Sequence, residues 1–124
     1  MNINEASKKT GLPKSTIRYY EKLSIIPPIK RDKNGVRIFA KTDIEWLLFA
    51  KQMRSANVSI KTLVNYISLF KAGDASIKNR IELLTNELHK LQTHISSLQT
   101  AEHNLSEKIK RYRTHVIPTE EKLN

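Results

Sequence analysis

Between Lys14 and Lys22 the sequence Lys-Ser-Thr-Ile-Arg-Tyr-Tyr-Glu-Lys sets cations, a hydroxyl and an aromatic three and four residues apart. On a helix, Ser15, Arg18, Tyr19 and Lys22 share one face with Lys14 beside them, while Ile17 and Tyr20 point away toward a core. An arginine donates two parallel hydrogen bonds to a phosphate or a guanine edge, and the Ser15 and Tyr19 hydroxyls suit phosphate oxygens. The competing reading is a solvated helix face, since charged residues are common on exposed helices. The elements around the stretch have to decide between them.

Pro13 suits the first turn of a helix, where its missing N–H has no partner anyway. Upstream, Asn4 is placed to cap a first short helix and Gly11 to end it in the left-handed conformation. Two helices joined by a tight glycine-containing turn make a helix-turn-helix, whose second helix enters the DNA major groove. Ile25-Ile26-Pro27-Pro28 then reads as a sharp stop. Asn34-Gly35 is the favoured pair for a two-residue hairpin turn, with Val36, Ile38 and Phe39 suited to a strand. Lys30, Arg31, Lys33 and Arg37 surround that turn, so the hairpin reads as a basic wing along a phosphate backbone. A hairpin that merely covers the core is the alternative.

Thr42-Asp43-Ile44-Glu45 has the form of a capping box opening a third helix. Ile44, Leu47, Leu48 and Met53, with Trp46 and Phe49 on the flanks, supply its core surface, which makes Trp46 a packing residue rather than a base-stacking one. Ser59 suits the cap of a fourth helix carrying Ile60, Leu63, Val64, Ile67 and Phe70 and stopping near Ala72-Gly73. From Ile77 the pattern becomes a heptad. Ile77, Ile81, Leu84, Leu88, Leu91, Ile95, Leu98, Leu105, Ile109 and Tyr112 follow alternating steps of four and three, with Glu102 at the one seam position that is not apolar. Such a stripe needs a partner helix, and a second copy of the same helix is the natural one. Ser76 to Tyr112 would span ~55 Å as a helix. The stripe alone leaves the pairing direction open.

The 124-residue chain carries a formal charge of +10. Residues 1–73 hold 14 Lys/Arg against 5 Asp/Glu, and residues 74–124 hold 8 against 7, so the excess sits in the first part. A polyanion is its natural partner, with salt-sensitive affinity from released counterions. A phosphate-bearing membrane surface would share that attraction, but the helix-turn-helix favours nucleic acid. No apolar run is long enough to span a bilayer and no basic-then-apolar leader opens the sequence, so a cytoplasmic location is expected. Cysteine is absent, which removes disulfides, thiolate metal sites and cysteine nucleophiles. His89, His94 and His103 lie five and nine residues apart, His115 stands further on, and no carboxylate completes a set, so no metal site is expected. There is no Gly-rich phosphate cradle and no nucleophile elbow, so neither an enzyme nor a cofactor is expected.

Ile3-Asn4-Glu5-Ala6, Thr10-Gly11-Leu12, Ile17-Arg18-Tyr19-Tyr20-Glu21-Lys22-Leu23, Ile26-Pro27-Pro28 and Arg31-Asp32-Lys33-Asn34-Gly35-Val36-Arg37-Ile38-Phe39 resemble, in order and spacing, the DNA-binding domain of MerR-family transcriptional regulators. The resemblance covers about the first seventy residues, and the long helix that follows fits it. It implies a mainly α fold: a winged helix-turn-helix DNA-binding domain over 1–73, a dimerisation coiled-coil helix over 74–112 and a flexible tail over 113–124. It also implies that the third and fourth helices with their loop form a second wing. At matching positions, Lys14, Ser15, Arg18, Tyr19, Arg37 and Arg54 are the implied DNA-contacting set, with a core role favoured for Tyr20. Three positions depart from the common pattern: Pro13 replaces a small hydroxyl cap, Val36 a tyrosine and Asn57 a glycine.

The implied coiled coil is antiparallel, and the implied mechanism is a homodimer on double-stranded promoter DNA. That dimer bends and untwists an over-long promoter so that RNA polymerase engages, which makes the polymerase an indirect partner. No separate effector-binding domain is expected, and sensing through cysteines is excluded. An architectural DNA-binding protein with little sequence preference, or a basic coiled-coil adaptor, would share the same elements.

Overall fold

The computed structural model describes residues 1–116. The described residues form helices α1 (Ile3–Thr10), α2 (Lys14–Lys22), α3 (Lys41–Ser55), α4 (Ile60–Lys71) and α5 (Ile77–Arg111). A 3-10 turn, Asp74–Ser76, precedes α5, and a π-helical turn, Tyr112–Val116, follows it. Contacts divide the chain into two compact units, the first Met1–Thr85 and the second from Asn86 onward. No helix among the described residues is long and apolar enough to cross a membrane. The tail expected over 113–124 begins inside the π-helical turn, and its residues 117–124 lie outside the described residues.

Ala6 of α1, Leu12, Ile17 and Tyr20 of α2, Leu47 and Ala50 of α3 and Leu63 of α4 are all buried in one core. Ile25, Ile26, Ile29 and Phe39 close it from the loop and wing. Each large apolar side chain so covered contributes roughly 1.5–3 kcal/mol. Leu48, expected in this core, is 40% exposed. It follows the buried Leu47 by one position, about 100° further round α3, which carries it off the packed face.

Several helix ends differ from the sequence reading. Asn2, not Asn4, caps α1: its side chain accepts from Glu5 N–H (2.9 Å) while Glu5 reaches back to Asn2 N–H (3.4 Å). Asn4 falls inside the helix. Gly11 ends α1 at φ 72°, and Lys51 Nζ donates to the Thr10 carbonyl (2.8 Å), a cation at a helix C-terminus. α3 starts at Lys41 with Ala40 as its cap, and Asp43 Oδ2 accepts from Ala40 N–H (2.7 Å). Asp43 thus takes the backward-reaching role assigned to Glu45, and Thr42 lies inside the helix.

Ile25 to Pro28 is not where α2 stops. Ser24 lies at φ 60°, and Ile25 and Ser24 N–H donate to the Tyr20 and Glu21 carbonyls (3.2 and 3.1 Å). This double closure ends the helix before the prolines are reached. α3 closes the same way. Val58 and Asn57 N–H donate to the Met53 and Arg54 carbonyls (2.9 and 3.1 Å), with Asn57 at φ 66°. Ser59 caps α4 by accepting from Thr62 N–H (3.0 Å).

The junction from α4 to α5 is tied by polar groups. Gly73 turns the chain at φ 83°. The buried Ser76 hydroxyl donates toward the Leu69 and Gly73 carbonyls and accepts from Arg80 Nε (3.1 Å). Arg80 also stacks on Phe70, its guanidinium 5.6 Å from the ring centroid.

Candidate nucleic-acid interface

α2 presents the face that its spacing predicts. Ile17 and Tyr20 are buried, while Lys14, Ser15, Arg18, Tyr19 and Lys22 are exposed, Tyr19 at 50%. Among the described residues, the side chains of Lys14, Ser15, Arg18 and Tyr19 make no hydrogen bond or ion pair. Each remains available to a ligand.

The wing runs from Lys30 to Phe39. Arg31 and Arg37 form one antiparallel bridge, and Ile38 N–H donates to the Lys30 carbonyl (2.7 Å). Its base is fastened to the start of the chain, where Phe39 N–H donates to the Met1 carbonyl (2.7 Å) and the Met1 amine to the Phe39 carbonyl (3.0 Å). The tip is not the two-residue Asn-Gly turn expected. Only Gly35 has positive φ (80°) in the wing. Asp32 Oδ1 accepts from Asn34 and Val36 N–H (2.8 and 3.0 Å), and Gly35 N–H donates to the Asp32 carbonyl (3.0 Å). A carboxylate that satisfies two backbone donors offers the chain a wider turn than the primed one.

Glu21 joins the wing to α2. Its Oε1 accepts from Arg37 Nε (2.8 Å) and Arg31 Nη2 (3.2 Å), and its Oε2 from Ile29 N–H (3.1 Å). Arg31 in turn donates from Nη1 to the Gly35 carbonyl (3.1 Å). The sequence reading missed this role of Glu21 altogether. Glu21 stands beside Tyr20 in the helix, and its partners lie ten and sixteen residues on, a separation that no local pattern encodes. Arg37 is therefore held by Glu21 through Nε, and its terminal nitrogens have no protein partner among the described residues. Asn2, Ile3, Arg18, Arg31, Gly35, Val36 and Arg37 line a cleft of about 280 Å3 between α1, α2 and the wing. Three guanidinium-bearing side chains facing one small cleft are suited to an anion of phosphate size.

At the second turn, Arg54 Nη1 donates to the Val58 carbonyl (2.8 Å). That bond braces the left-handed turn at Asn57 and leaves the rest of the guanidinium partly exposed. Trp46 packs in an aromatic cluster, 4.9 Å from Phe70 and 5.9 Å from Tyr66 between ring centroids. The seam residues of α5 lie along one stripe and, apart from the half-buried Leu91, are exposed, from 39% at Leu84 to 64% at Leu105.

Comparison with known proteins bears on this arrangement. Residues 1–69 match the model of the MerR HTH family regulatory protein. The HTH-type transcriptional regulator AdhR of Bacillus subtilis is 42% identical over 73% of this chain, which spans 65% of AdhR's length. The HTH-type transcriptional regulator HmrR of Rhizobium leguminosarum is 34% identical, with 83% of this chain and 82% of HmrR covered. A crystal structure of a MerR family protein from Listeria monocytogenes superposes with a TM-score of 0.91 at 45% identity, covering 99% of this chain and 93% of that one. HiNmlR, a MerR family regulator lacking the sensor domain and crystallised bound to promoter DNA, superposes at 0.82 with 26% identity, covering 90% of this chain and 89% of its own. The helix-turn-helix, the wing and the long final helix thus have their counterpart in one family, and the chain belongs to the MerR family of helix-turn-helix regulatory proteins.

Proposed function

We propose that this protein binds promoter DNA as a homodimer and regulates transcription by distorting that DNA. The observation that carries the reading is the uncommitted face of α2, with Arg18 and Tyr19 at its centre, set beside a cleft ringed by Arg18, Arg31 and Arg37. α2 lies in the major groove, where Lys14, Ser15, Arg18 and Tyr19 meet base edges and the flanking phosphates. Arg37, oriented by Glu21, holds a backbone phosphate with its terminal nitrogens, and Arg54 a further one. Residues 1–73 act as the DNA-binding module, and residues 74–112 as the dimerisation helix.

A stripe of exposed Ile and Leu along a 35-residue helix supports dimerisation, because such a seam is covered by a second copy. Two features favour antiparallel pairing. In a parallel pair Glu102 would face its own copy across the seam, placing two like charges together. A parallel pair would also bring two basic modules, each with 14 Lys/Arg against 5 Asp/Glu, side by side, where they repel. Antiparallel helices hold the modules apart at opposite ends, so that one dimer grips two half-sites. Bending and untwisting a short site costs of order 1–6 kcal/mol, offset by contacts from both modules. The polymerase is then reached through the altered promoter.

The test is binding to the DNA that flanks the protein's own coding region, against random duplex of equal length, with bending measured by energy transfer between duplex ends. Tight, sequence-selective binding with a bend is the expected result. Equal affinity for both duplexes would favour an architectural role, and no binding in dilute buffer would end the proposal.

A further inference from the structure

We infer that the aromatic groove between α3 and α4 is the docking site for the far end of α5 from a second copy of this chain. The groove encloses about 330 Å3 and is lined by Thr42, Glu45, Trp46, Phe49, Tyr66 and Phe70. Trp46 lies 6.3 Å from Phe49 and 4.9 Å from Phe70, and Phe49 5.8 Å from Tyr66, between ring centroids. Rings so clustered present apolar faces that a single inserted side chain can cover. Phe70 remains 39% exposed. It is clamped by Arg80, one residue before the seam position Ile81, so the groove borders the start of the exposed stripe.

The occupant follows from the seam, and this inference rests on the antiparallel dimer proposed above. In an antiparallel pair, a and d positions alternate across the seam, which limits the register to steps of seven residues. One register opposes Ile77 with the partner's Ile109, Ile81 with the partner's Leu105 and Leu88 with the partner's Leu98. The next opposes Ile81 with the partner's Tyr112, Leu88 with the partner's Leu105 and Ile95 with the partner's Leu98. Either one brings the Ile109–Tyr112 end of the partner rod to the start of α5, beside Phe70. Tyr112 is 49% exposed in its own chain and is the last large side chain of the stripe. It has an apolar ring for the groove and a hydroxyl for its Thr42 and Glu45 rim.

Charge agrees with this choice. The last turn of α5 carries Lys108, Lys110 and Arg111, and Arg113 follows in the π-helical turn, while Glu45 is the one charged residue lining the groove. A basic rod end thus meets an acidic rim. The docking would fix each DNA-binding module to the partner's rod as well as to its own. The spacing of the two modules on DNA would then be set at both ends of the coiled coil.

The experiment uses two features of the full chain: it has no cysteine, and Trp46 is its only tryptophan. Glu45→Cys protein is mixed with Arg113→Cys protein, re-equilibrated and oxidised. In parallel, acrylamide quenching of Trp46 is compared for the wild-type dimer, the Tyr112→Ala dimer and the monomer made by Leu98→Glu, with assembly checked by sedimentation. The inference expects a disulfide joining the two different chains and Trp46 protected in the wild-type dimer. It also expects that protection to be lost in Tyr112→Ala, which still sediments as a dimer because the seam is intact. A wild-type dimer whose Trp46 is as accessible as in the monomer, with no mixed disulfide, overturns the docking and leaves the dimer reading standing. Saturable binding of a naphthalene sulfonate dye by the wild-type dimer, abolished by Phe70→Ala, shows the groove open to a small apolar ligand and also overturns it. A wild-type chain that sediments as a monomer removes both.

Discussion

The four-helix module and the α5 stripe are built from the same apolar residue types, yet they dispose of them in opposite ways. In the module, Ile17, Leu47 and Ile67 are almost completely buried by residues of the same chain. On α5, Ile81, Leu98 and Leu105 are each more than half exposed. A globular unit closes on its own apolar faces because its short helices cross. A straight helix 35 residues long presents a seam that its own chain does not cover. The module is complete in one copy, and the rod asks for a second.

The sharpest way to break this comparison is to damage each region separately. Leu98→Glu places a charge in the seam and is expected to abolish the dimer in sedimentation. Promoter affinity should then fall by a factor on the order of 100 or more, because the second module no longer binds intramolecularly, with the module's melting transition kept. Leu47→Ala should do the reverse, costing about 2–5 kcal/mol of module stability in denaturant titration. If Leu98→Glu unfolded the module as well, the two regions would not be separable.

Within the module, Glu21→Ala removes the acceptor shared by Arg31, Arg37 and Ile29. Denaturant titration should record a loss of about 1–3 kcal/mol, the usual range for donors stripped of a part-buried partner. Arg18→Ala should weaken promoter binding by about 1–3 kcal/mol and relax base preference at one position per half-site, read by competition with substituted duplexes. Arg37→Ala is expected to lower affinity for every sequence alike and to reduce the salt slope by about one per module; a changed base preference with an unaltered slope would remove it from the phosphate role. The smallest effect is assigned to Ser24→Gly. Relieving a left-handed non-glycine residue at φ 60° should raise stability by about 0.5–1 kcal/mol, since the steric relief slightly exceeds glycine's entropy cost. An unchanged or lowered melting temperature would show that Ser24 carries no such strain.

Much of the fold was legible because its signals are local. Ile17 and Tyr20 had to point inward once Lys14 to Lys22 was read as a helix, and the four-three repeat from Ile77 announced a long seam. Gly11, Ser59 and Gly73 marked helix ends by chemistry that acts within a few residues. The misreadings share one cause, competition among neighbouring candidates of nearly equal merit. Asn2 and Asn4 are both good caps, and Asp43 and Glu45 both reach backward. At the wing tip, Asp32 outbid the Asn34-Gly35 pair because its carboxylate satisfies two backbone donors at once. At the end of α2 a serine took a conformation usually left to glycine, which no composition rule would have proposed.

From sequence alone came the choice of elements, the basic face of α2 and the family resemblance, because helical periodicity and charge placement are properties of neighbours along the chain. Which carboxylate clamps the wing, which lysine closes α1 and which rings gather around Trp46 depended on the folded core. Those partners lie between ten and forty-one residues apart, and only the packing of α1, α2, α3 and α4 around shared apolar side chains brings them within a few ångströms.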